Sequence, residues 1–285
     1  MAVPAGQART PTTIITPRRG WFHLGLSELW KYRELGYLLA WRDLKVRYKQ
    51  TVLGVAWAVL QPVILMVVFT VVFGRSGGKL APPESIPAPI FYFSALLVWS
   101  YFAQALQASS ASIVTAQQIV TKIYFPRLVL PINGMFQGFP DFVMSWVVMC
   151  GLMLAYGFPF SPRLLVIPAL VLLASVTALG AGLWLSASSA LYRDIRLGTP
   201  FFVQVLMFAS VIYPAKAASG SAHWLLGLNP MTLVVEGCRW AVLGDEWGRT
   251  FPTELLWPAI AVATVLLLTG LVYFRRIEDI VVDVV

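Results

Sequence analysis

Long uncharged runs of apolar residues alternate along the chain with short clusters of charged residues. A bilayer core of about 30 Å is crossed by roughly 20 apolar residues in a helix, so each such run predicts a membrane-spanning helix. The predicted spans cover residues 50–74, 90–111, 128–157, 164–186, 198–214 and 255–274. The pattern therefore predicts an all-α integral membrane protein with six spans and both termini on the same side of the membrane.

One further uncharged stretch, Ala217 to Val235, does not fit a spanning helix. It contains Gly220, Gly227 and the pair Asn229-Pro230, which interrupt helices. Because irregular backbone at membrane depth must be covered by protein, we predict a re-entrant hairpin on the outer (periplasmic) face. A seventh span is the alternative, and the path of residues 214–256 stays open.

The segment 29–49 before the first span predicts an amphipathic helix at the membrane interface. Tyr37, Trp41, Leu44 and Tyr48 recur on one face, with several basic side chains about 100° around the helix. A simple topology anchor and a gate helix that meets anionic headgroups both fit this pattern. The candidate headgroup or diphosphate ligands are Arg42, Lys45, Arg47 and Lys49.

Two other charged segments join predicted spans. Residues 113–127 are polar, end in a cation and contain Pro126, which predicts a short cytoplasmic helix followed by a turn. That segment is either a plain connection or a docking element for a cytoplasmic partner. Tyr192–Arg196 is predicted to be a short solvated turn.

Asp141 is the one acidic residue inside the predicted spans, directly after Pro140. Ionisable groups at this depth are costly, so the carboxyl group is either a hydrogen-bonded packing residue or functional. A proton relay would need further buried titratable groups, which the spans do not offer. Gly134 and Gly138 in the same span form a spacing that permits close helix contact.

Composition agrees with a membrane protein: 58% of residues are hydrophobic and 12% are charged, against about a quarter charged in soluble domains. This excludes an ordinary soluble enzyme and a disordered chain. Cys150 and Cys238 form no disulfide or metal-site pattern. Residues 1–28 lack the apolar core of a signal peptide and are predicted to be a disordered cytoplasmic tail.

The basic residues orient the predicted spans. With the N-terminus inside, fifteen of the 21 Lys and Arg residues lie on the cytoplasmic side, which is a clear positive-inside bias. The net charge of +8 therefore reflects topology and anionic lipid, and no nucleic-acid partner is expected. The six outer cations are Arg75, Lys79, Arg163, Lys216, Arg239 and Arg249.

The sequence contains no phosphate-binding loop motif, nucleophile elbow or metalloprotease motif. We therefore expect no enzymatic activity and no cofactor in this chain, and if the chain takes part in driven transport, another chain supplies the energy. Aromatic side chains in spans can line a route for sugars, although packing between helices or contact with lipid explains them equally. The candidates for such a route are Trp57, Tyr92, Trp99 and Phe102.

Several motifs resemble those of the permease subunits of type-2 ABC exporters of polysaccharides, the family that exports O-antigen, teichoic acid and capsule. These motifs are WRDLKVRYKQTVLGVAW at 41–57, KIYFPR at 122–127, RDIR at 193–196, LNPMT at 228–232 and FRRIE at 274–278. They occur in the family's order, and the resemblance covers most of the chain from Trp41 onward.

The resemblance implies a homodimer that pairs with two copies of an ATPase subunit, which would bind ATP and Mg²⁺. It also implies that segment 29–49 and the first span border a lateral entry for an undecaprenyl-diphosphate-linked glycan. An exporter of another cargo, such as a drug or a lipid, and a membrane-embedded glycan-modifying enzyme are the alternatives. The residues implied to contact the ATPase are Lys122, Tyr124, Phe125 and Arg127.

Overall fold

The computed structural model describes residues 30–49, 56–74, 81–120, 125–212, 226–248 and 250–284, with side chains described as far as residue 278. Throughout these ranges the regular secondary structure is helical. The α-helices in chain order are α1 (Arg33–Lys49), α2 (Ala56–Phe73), α3 (Ala88–Thr115), α4 (Gln117–Val120), α5 (Val129–Phe136), α6 (Phe139–Tyr156), α7 (Ile167–Leu191), α8 (Arg193–Met207), α9 (Pro230–Leu243) and α10 (Leu256–Val284). Short 3₁₀ helices at Pro162–Val166, Gly244–Glu246 and Thr253–Leu255, and a π-helical turn at Phe208–Ile212, complete the set.

Six segments of the described chain are long and apolar enough to cross a membrane, which confirms the predicted number of spans. They are Ala56–Phe73, Ala88–Thr115, Val129–Tyr156, Pro162–Leu191, Arg193–Ile212 and Thr253–Glu278. The predicted tail of residues 1–28 and the beginning of the predicted first span, residues 50–55, lie outside the described residues.

Helix α3 forms the centre of the bundle. The side chains from Ile90 to Val98 have essentially no exposed surface, and α3 packs against α2, α5, α6, α7 and α9. On its far side α7 packs along α10, where Gly180 allows the two backbones to approach closely. A Cβ atom at Gly180 would lie 2.7 Å from the backbone nitrogen of Leu267, so no side chain fits there.

The third span consists of two helices, α5 and α6, separated at Gln137 and Gly138. Pro140 lies in the first turn of α6, where its missing N–H costs nothing. The predicted close contact of the glycine pair is confirmed. A Cβ at Gly134 would lie 2.6 Å from the backbone nitrogen of Ser109 in α3, and one at Gly138 would lie 3.2 Å from the carbonyl oxygen of Tyr101.

The predicted turn at Tyr192–Arg196 is wrong. Helix α7 ends at Leu191, Tyr192 alone is extended (φ −126°, ψ 113°), and α8 begins at Arg193. Asp194 lies in the first turn of α8, where a carboxylate is favourable beside the positive end of the helix dipole. The fifth span therefore begins before the predicted residue 198.

Helix α9 lies at the end of the bundle where α3 and α7 begin. It starts after Asn229, whose side chain accepts a hydrogen bond from the backbone of Met231 at 3.0 Å, and it ends at Gly244, which has φ +63°. Its 14 residues extend about 21 Å, too short to cross a bilayer core. It corresponds to the second arm of the predicted hairpin. The first arm falls largely on residues 213–225, outside the described residues, so re-entry stays a prediction.

Candidate functional site

Helix α1 packs lengthwise against the third span. Near its beginning, a Cβ at Gly36 would lie 3.5 Å from Cγ1 of Val129 in α5, and Leu39 is buried one turn later. Near its end, Arg47 contacts Gln137 and Asp141 at the junction of α5 and α6. The last turn of α1 therefore lies beside the middle of a span, whereas the pattern predicted a helix at the interface along its whole length.

Arg47 and Asp141 form an ion pair at this junction. The Arg47 guanidinium donates to Asp141 Oδ2 at 2.8 Å, to Gln104 Oε1 at 2.7 Å and to the carbonyl oxygen of Gln137 at 3.2 Å. The Tyr48 hydroxyl donates to Asp141 Oδ1. Both carboxylate oxygens of Asp141 are therefore bonded to α1, and we call these five residues the polar latch.

The hydroxyl of Tyr48 is suited to the role of a neutral donor. Burial raises the pKa of Tyr48 to about 12, and the hydrogen bond and negative charge of Asp141 add to this effect while Arg47 opposes it. The phenol is therefore protonated throughout the physiological pH range. The sequence left open whether Asp141 is a packing residue or a functional one. In the structure its carboxylate accepts hydrogen bonds from two residues of α1.

The other three predicted gate cations lie on the exposed side of α1. Arg42 bonds its neighbour Asp43 at 2.8 Å, Lys45 Nζ lies 5.5 Å from the centre of the Trp41 ring, and Lys49 is exposed. Their contact with headgroups stays a prediction. Arg47 differs from them because its guanidinium has an internal counter-ion.

The aromatic face predicted for α1 is divided between two environments. Tyr37 and Trp41 are 68% and 49% exposed and stack with ring centres 6.5 Å apart. Leu44 and Tyr48 are half-buried instead. The tertiary contact with α5 and α6 turns the second half of that face toward protein.

Two of the predicted ATPase-contacting residues contact other parts of the bundle, and one of them is buried. Phe125 is 4% exposed and packs in an apolar cluster with Leu128 and Phe274. Arg127 donates its guanidinium to the backbone carbonyl of Glu278, and its own N–H points to the Glu278 carboxylate at 3.4 Å. These residues fasten segment 113–127 to the end of α10. Lys122 and Tyr124 lie outside the described residues.

Most of the predicted sugar-route aromatics are core residues. Tyr92, Trp99 and Phe102 are at most 4% exposed, in the central helix α3, so within this chain they line no accessible surface. Trp57 in α2 is 51% exposed and stays available for such a role. The sequence could not separate the two cases because aromatic residues lie on several faces of these spans.

A second ion pair, between Arg239 and Glu236 of α9, is completely enclosed. Arg239 has no exposed surface, donates to Glu236 Oε1 at 2.9 Å and to the carbonyl oxygen of Val211, and lies 4.1 Å from the centre of the Phe91 ring. Trp247 donates to the other Glu236 oxygen at 3.1 Å. The prediction placed Arg239 only among the outer cations. The signal for its burial was a Glu and an Arg three residues apart in an otherwise apolar helix.

Several spans present mostly exposed apolar faces, and α2 and α8 are among them. Most residues of α2 are not buried, and α8 buries only a stripe that includes Thr199, Val203 and Met207. About 100° around α8 from this stripe, Gln204 is exposed near the middle of the fifth span. A polar side chain facing lipid at that depth is costly, so this face favours a protein or aqueous neighbour.

Comparison with known proteins agrees with this architecture. Residues 34–243 match the model of the family described as ABC-2 type transporter. The match begins within α1 and extends to the last residue of α9, so it includes both ion-paired clusters.

Three curated relatives carry the same name, O-antigen export system permease protein RfbA. The chain is 29% identical to the protein from Myxococcus xanthus over 246 residues, which is 85% of this chain and 92% of the relative. It is 23% identical to one from Klebsiella pneumoniae over 86% of this chain and 94% of that relative. A second Klebsiella pneumoniae protein is 24% identical over 72% of this chain and 81% of the relative.

Proposed function

The chain belongs to the ABC-2 type transporter family, and we propose that it is the permease subunit of an exporter that moves a lipid-linked, O-antigen-like polysaccharide across the bacterial cytoplasmic membrane. The observation that carries this proposal is the similarity to an O-antigen export permease over 85% of the chain. Six spans, with α3 buried among the others, give this chain the multi-span membrane architecture that a permease requires.

In this proposal a separate ATPase subunit, present in two copies, binds ATP and Mg²⁺ and supplies the energy. Segment 113–127 would contact it at the end of the bundle that carries Phe125 and Glu278. Because Phe125 and Arg127 hold this segment against α10, movement imposed on the segment is transmitted to a span. Lys122 and Tyr124 are the candidates for direct contact with the ATPase.

We place the α1 end of the bundle in the cytoplasm, as the positive-inside bias favours. The exposed cations Arg42, Lys45 and Lys49 would then meet the diphosphate and neighbouring anionic headgroups. Each basic residue near an anionic surface contributes about 1 kcal/mol of attraction, so three together favour a charged lipid over a neutral one.

A homodimer would cover the exposed faces of α2 and α8. Gln204 supports this arrangement, because a second copy or a water-filled glycan path is a better neighbour for an amide than lipid. Trp57 on α2 would offer an aromatic face to the sugar rings.

The test is export by this permease together with its ATPase partner in proteoliposomes loaded with a lipid-linked glycan. We expect ATP-dependent translocation that falls about tenfold or more in the variant R42Q/K45Q/K49Q, while ATPase binding is retained. The exposed acid Glu34 of the same helix provides the control, and E34Q should translocate normally. ATP-dependent movement of a drug or phospholipid without any movement of glycan would contradict the proposed cargo.

A further inference from the structure

The polar latch poses a physical question because it places two charges where charges are costly. Asp141 lies about 18 Å along the helix axis from Val129, and Gln104 lies about 17 Å from Thr115, at 1.5 Å per residue. Both distances place the latch inside the ends of the two spans that it contacts. A carboxylate at that depth needs a counter-ion, and α1 provides it.

The two members of the ion pair differ in accessibility. The side chain of Asp141 is 4% exposed, whereas that of Arg47 is 40% exposed. The carboxylate is thus enclosed by protein, while the guanidinium can be approached from the outer side of α1. A guanidinium has five N–H donors, and Arg47 makes three hydrogen bonds to described residues.

Phosphate is a direct competitor for such a group. Its oxygens accept paired, charge-assisted hydrogen bonds from a guanidinium in the same geometry that a carboxylate uses. Lys45 and Lys49 are also exposed on α1, within one turn of Arg47, and add positive charge for an approaching anion. An anion that binds Arg47 would take from Asp141 the partner that keeps α1 in place.

We propose that Asp141 is a positioning residue, the internal counter-ion that holds the last turn of α1 against the third span, and that the phosphate of an anionic lipid releases this turn by competing for Arg47. This inference rests on the proposed function for the identity of the lipid, a diphosphate carrier. Asp141 itself touches no cargo. It acts through Arg47 by making the undocked state of α1 unfavourable until an anionic headgroup arrives.

The contact of Gln137 Nε2 with Asp43 Oδ2, at 3.2 Å, allows the docked state to be measured. The parent protein for the test is the permease in complex with its ATPase partner, in phosphatidylcholine nanodiscs. Cys150 and Cys238 are replaced by alanine, and Asp43 and Gln137 by cysteine. A short bifunctional thiol reagent then joins the two new cysteines only when the last turn of α1 is docked.

We expect D141N to lower the cross-linking yield about tenfold, since a charge-assisted hydrogen bond contributes this much to an equilibrium. The matched control is E34Q, which removes one negative charge, as D141N does, but at an exposed residue of α1 away from this contact, and it should leave the yield unchanged. A second pair, Gly36→Cys with Val129→Cys, reports on the apolar half of α1 and should cross-link normally in D141N. If D141N leaves the yield of the pair at 43 and 137 unchanged, or abolishes the yields of both cysteine pairs, the proposal is wrong.

Added lipids test whether a phosphate takes the place of Asp141 as the partner of Arg47. Adding undecaprenyl diphosphate or phosphatidylglycerol to the nanodiscs should lower the yield in the parent protein, with no further effect in R47Q or D141N. Free pyrophosphate at the same concentration should have no effect, because Arg47 is reached from the membrane. If the yield of the parent protein does not change with either lipid, or changes only with pyrophosphate, the proposal that a lipid phosphate competes for Arg47 is wrong.

These measurements separate the inference from the proposed function because none of them uses export. If the latch responds as expected while no glycan is translocated, the proposed cargo fails and the role of Asp141 stands. If glycan is translocated while D141N docks α1 normally, the role of Asp141 fails and the cargo stands.

Discussion

Single residues in this protein acquire their roles from partners far away in the sequence. Arg47 and Asp141 are 94 positions apart, and Arg239 bonds a carbonyl oxygen 28 positions earlier. From the sequence, Arg47 was one of several cations of an interfacial helix, and Arg239 was one of the outer cations. In the structure each is the centre of a polar cluster that joins two elements, so its loss affects packing as well as charge.

The buried ion pair of α9, Glu236 with Arg239, should matter to stability mainly because each charge needs the other. We expect E236A to lower the free energy of unfolding by roughly 3 kcal/mol or more, because it leaves the buried Arg239 without its counter-ion. The double variant E236L/R239M should recover most of this loss, since it removes both charges. Thermal unfolding of the purified protein in one detergent measures the differences.

The control is the Arg163–Asp245 ion pair, in which the Asp245 side chain is 72% exposed. Removing the charge with D245N should cost no more than about 1 kcal/mol, as is usual for exposed pairs. Equal losses in E236A and D245N would contradict the claim that burial makes the first pair important.

At the scale of elements, close approach between helices depends on a few glycines. Gly134 lets α5 lie against the backbone of α3, and Gly180 does the same for α7 and α10. Between helices in a membrane there is no hydrophobic driving force relative to lipid, so van der Waals contact across small residues is a main source of affinity. The helix arrangement around α3 therefore rests on these positions.

We expect G134A to destabilise the protein by about 1–3 kcal/mol, because its Cβ would lie 2.6 Å from the backbone nitrogen of Ser109 and α5 must move away. G151A in α6 is the matched control, since a Cβ added at Gly151 would meet no neighbouring helix within 4 Å. That variant should be neutral or slightly stabilising, because alanine favours helix. Thermal unfolding of both proteins provides the comparison, and a milder effect at Gly134 than at Gly151 would refute this account.

At the scale of the whole molecule, the spans differ greatly in how much protein surrounds them. In the most apolar stretch of each span, the buried share of the residues is 78% for α3, 17% for α2 and 33% for the fifth span. The single chain is thus a bundle around one buried helix, with α2 and α8 on its exterior. Among the described residues, α3 fills the centre of the bundle, so a transport path would lie between copies or between this chain and lipid.

If α8 lies at the twofold axis of a homodimer, Gln204→Cys should form a disulfide with the same residue of a second copy under mild oxidation. Val265→Cys, on an exposed face of α10, is the control and should give no such product. The measurement is dimer formation on a non-reducing gel from membranes, in a background with Cys150 and Cys238 replaced. Dimers through residue 265 alone would place the interface elsewhere.

The number of spans and the helical class follow from the sequence alone, because crossing a bilayer requires a local run of apolar residues. The close contact at Gly134 and Gly138 and the helix interruption near Asn229 could also be predicted from the sequence, since both depend on residues that are near one another in the chain. The same locality explains the failure at Tyr192–Arg196, where one extended residue, too little for any pattern to reveal, separates two helices.

Tertiary structure alone decided which apolar and charged residues face inward. Hydropathy cannot distinguish a side chain in lipid from one in the core, so Tyr92, Trp99 and Phe102 looked like candidates for a path until α3 proved to be the buried helix. The partner of Asp141 was likewise undetermined, because an ion pair between helices is set by which helices become neighbours. The sequence by itself determined a six-span membrane protein, and packing determined where its few charges meet.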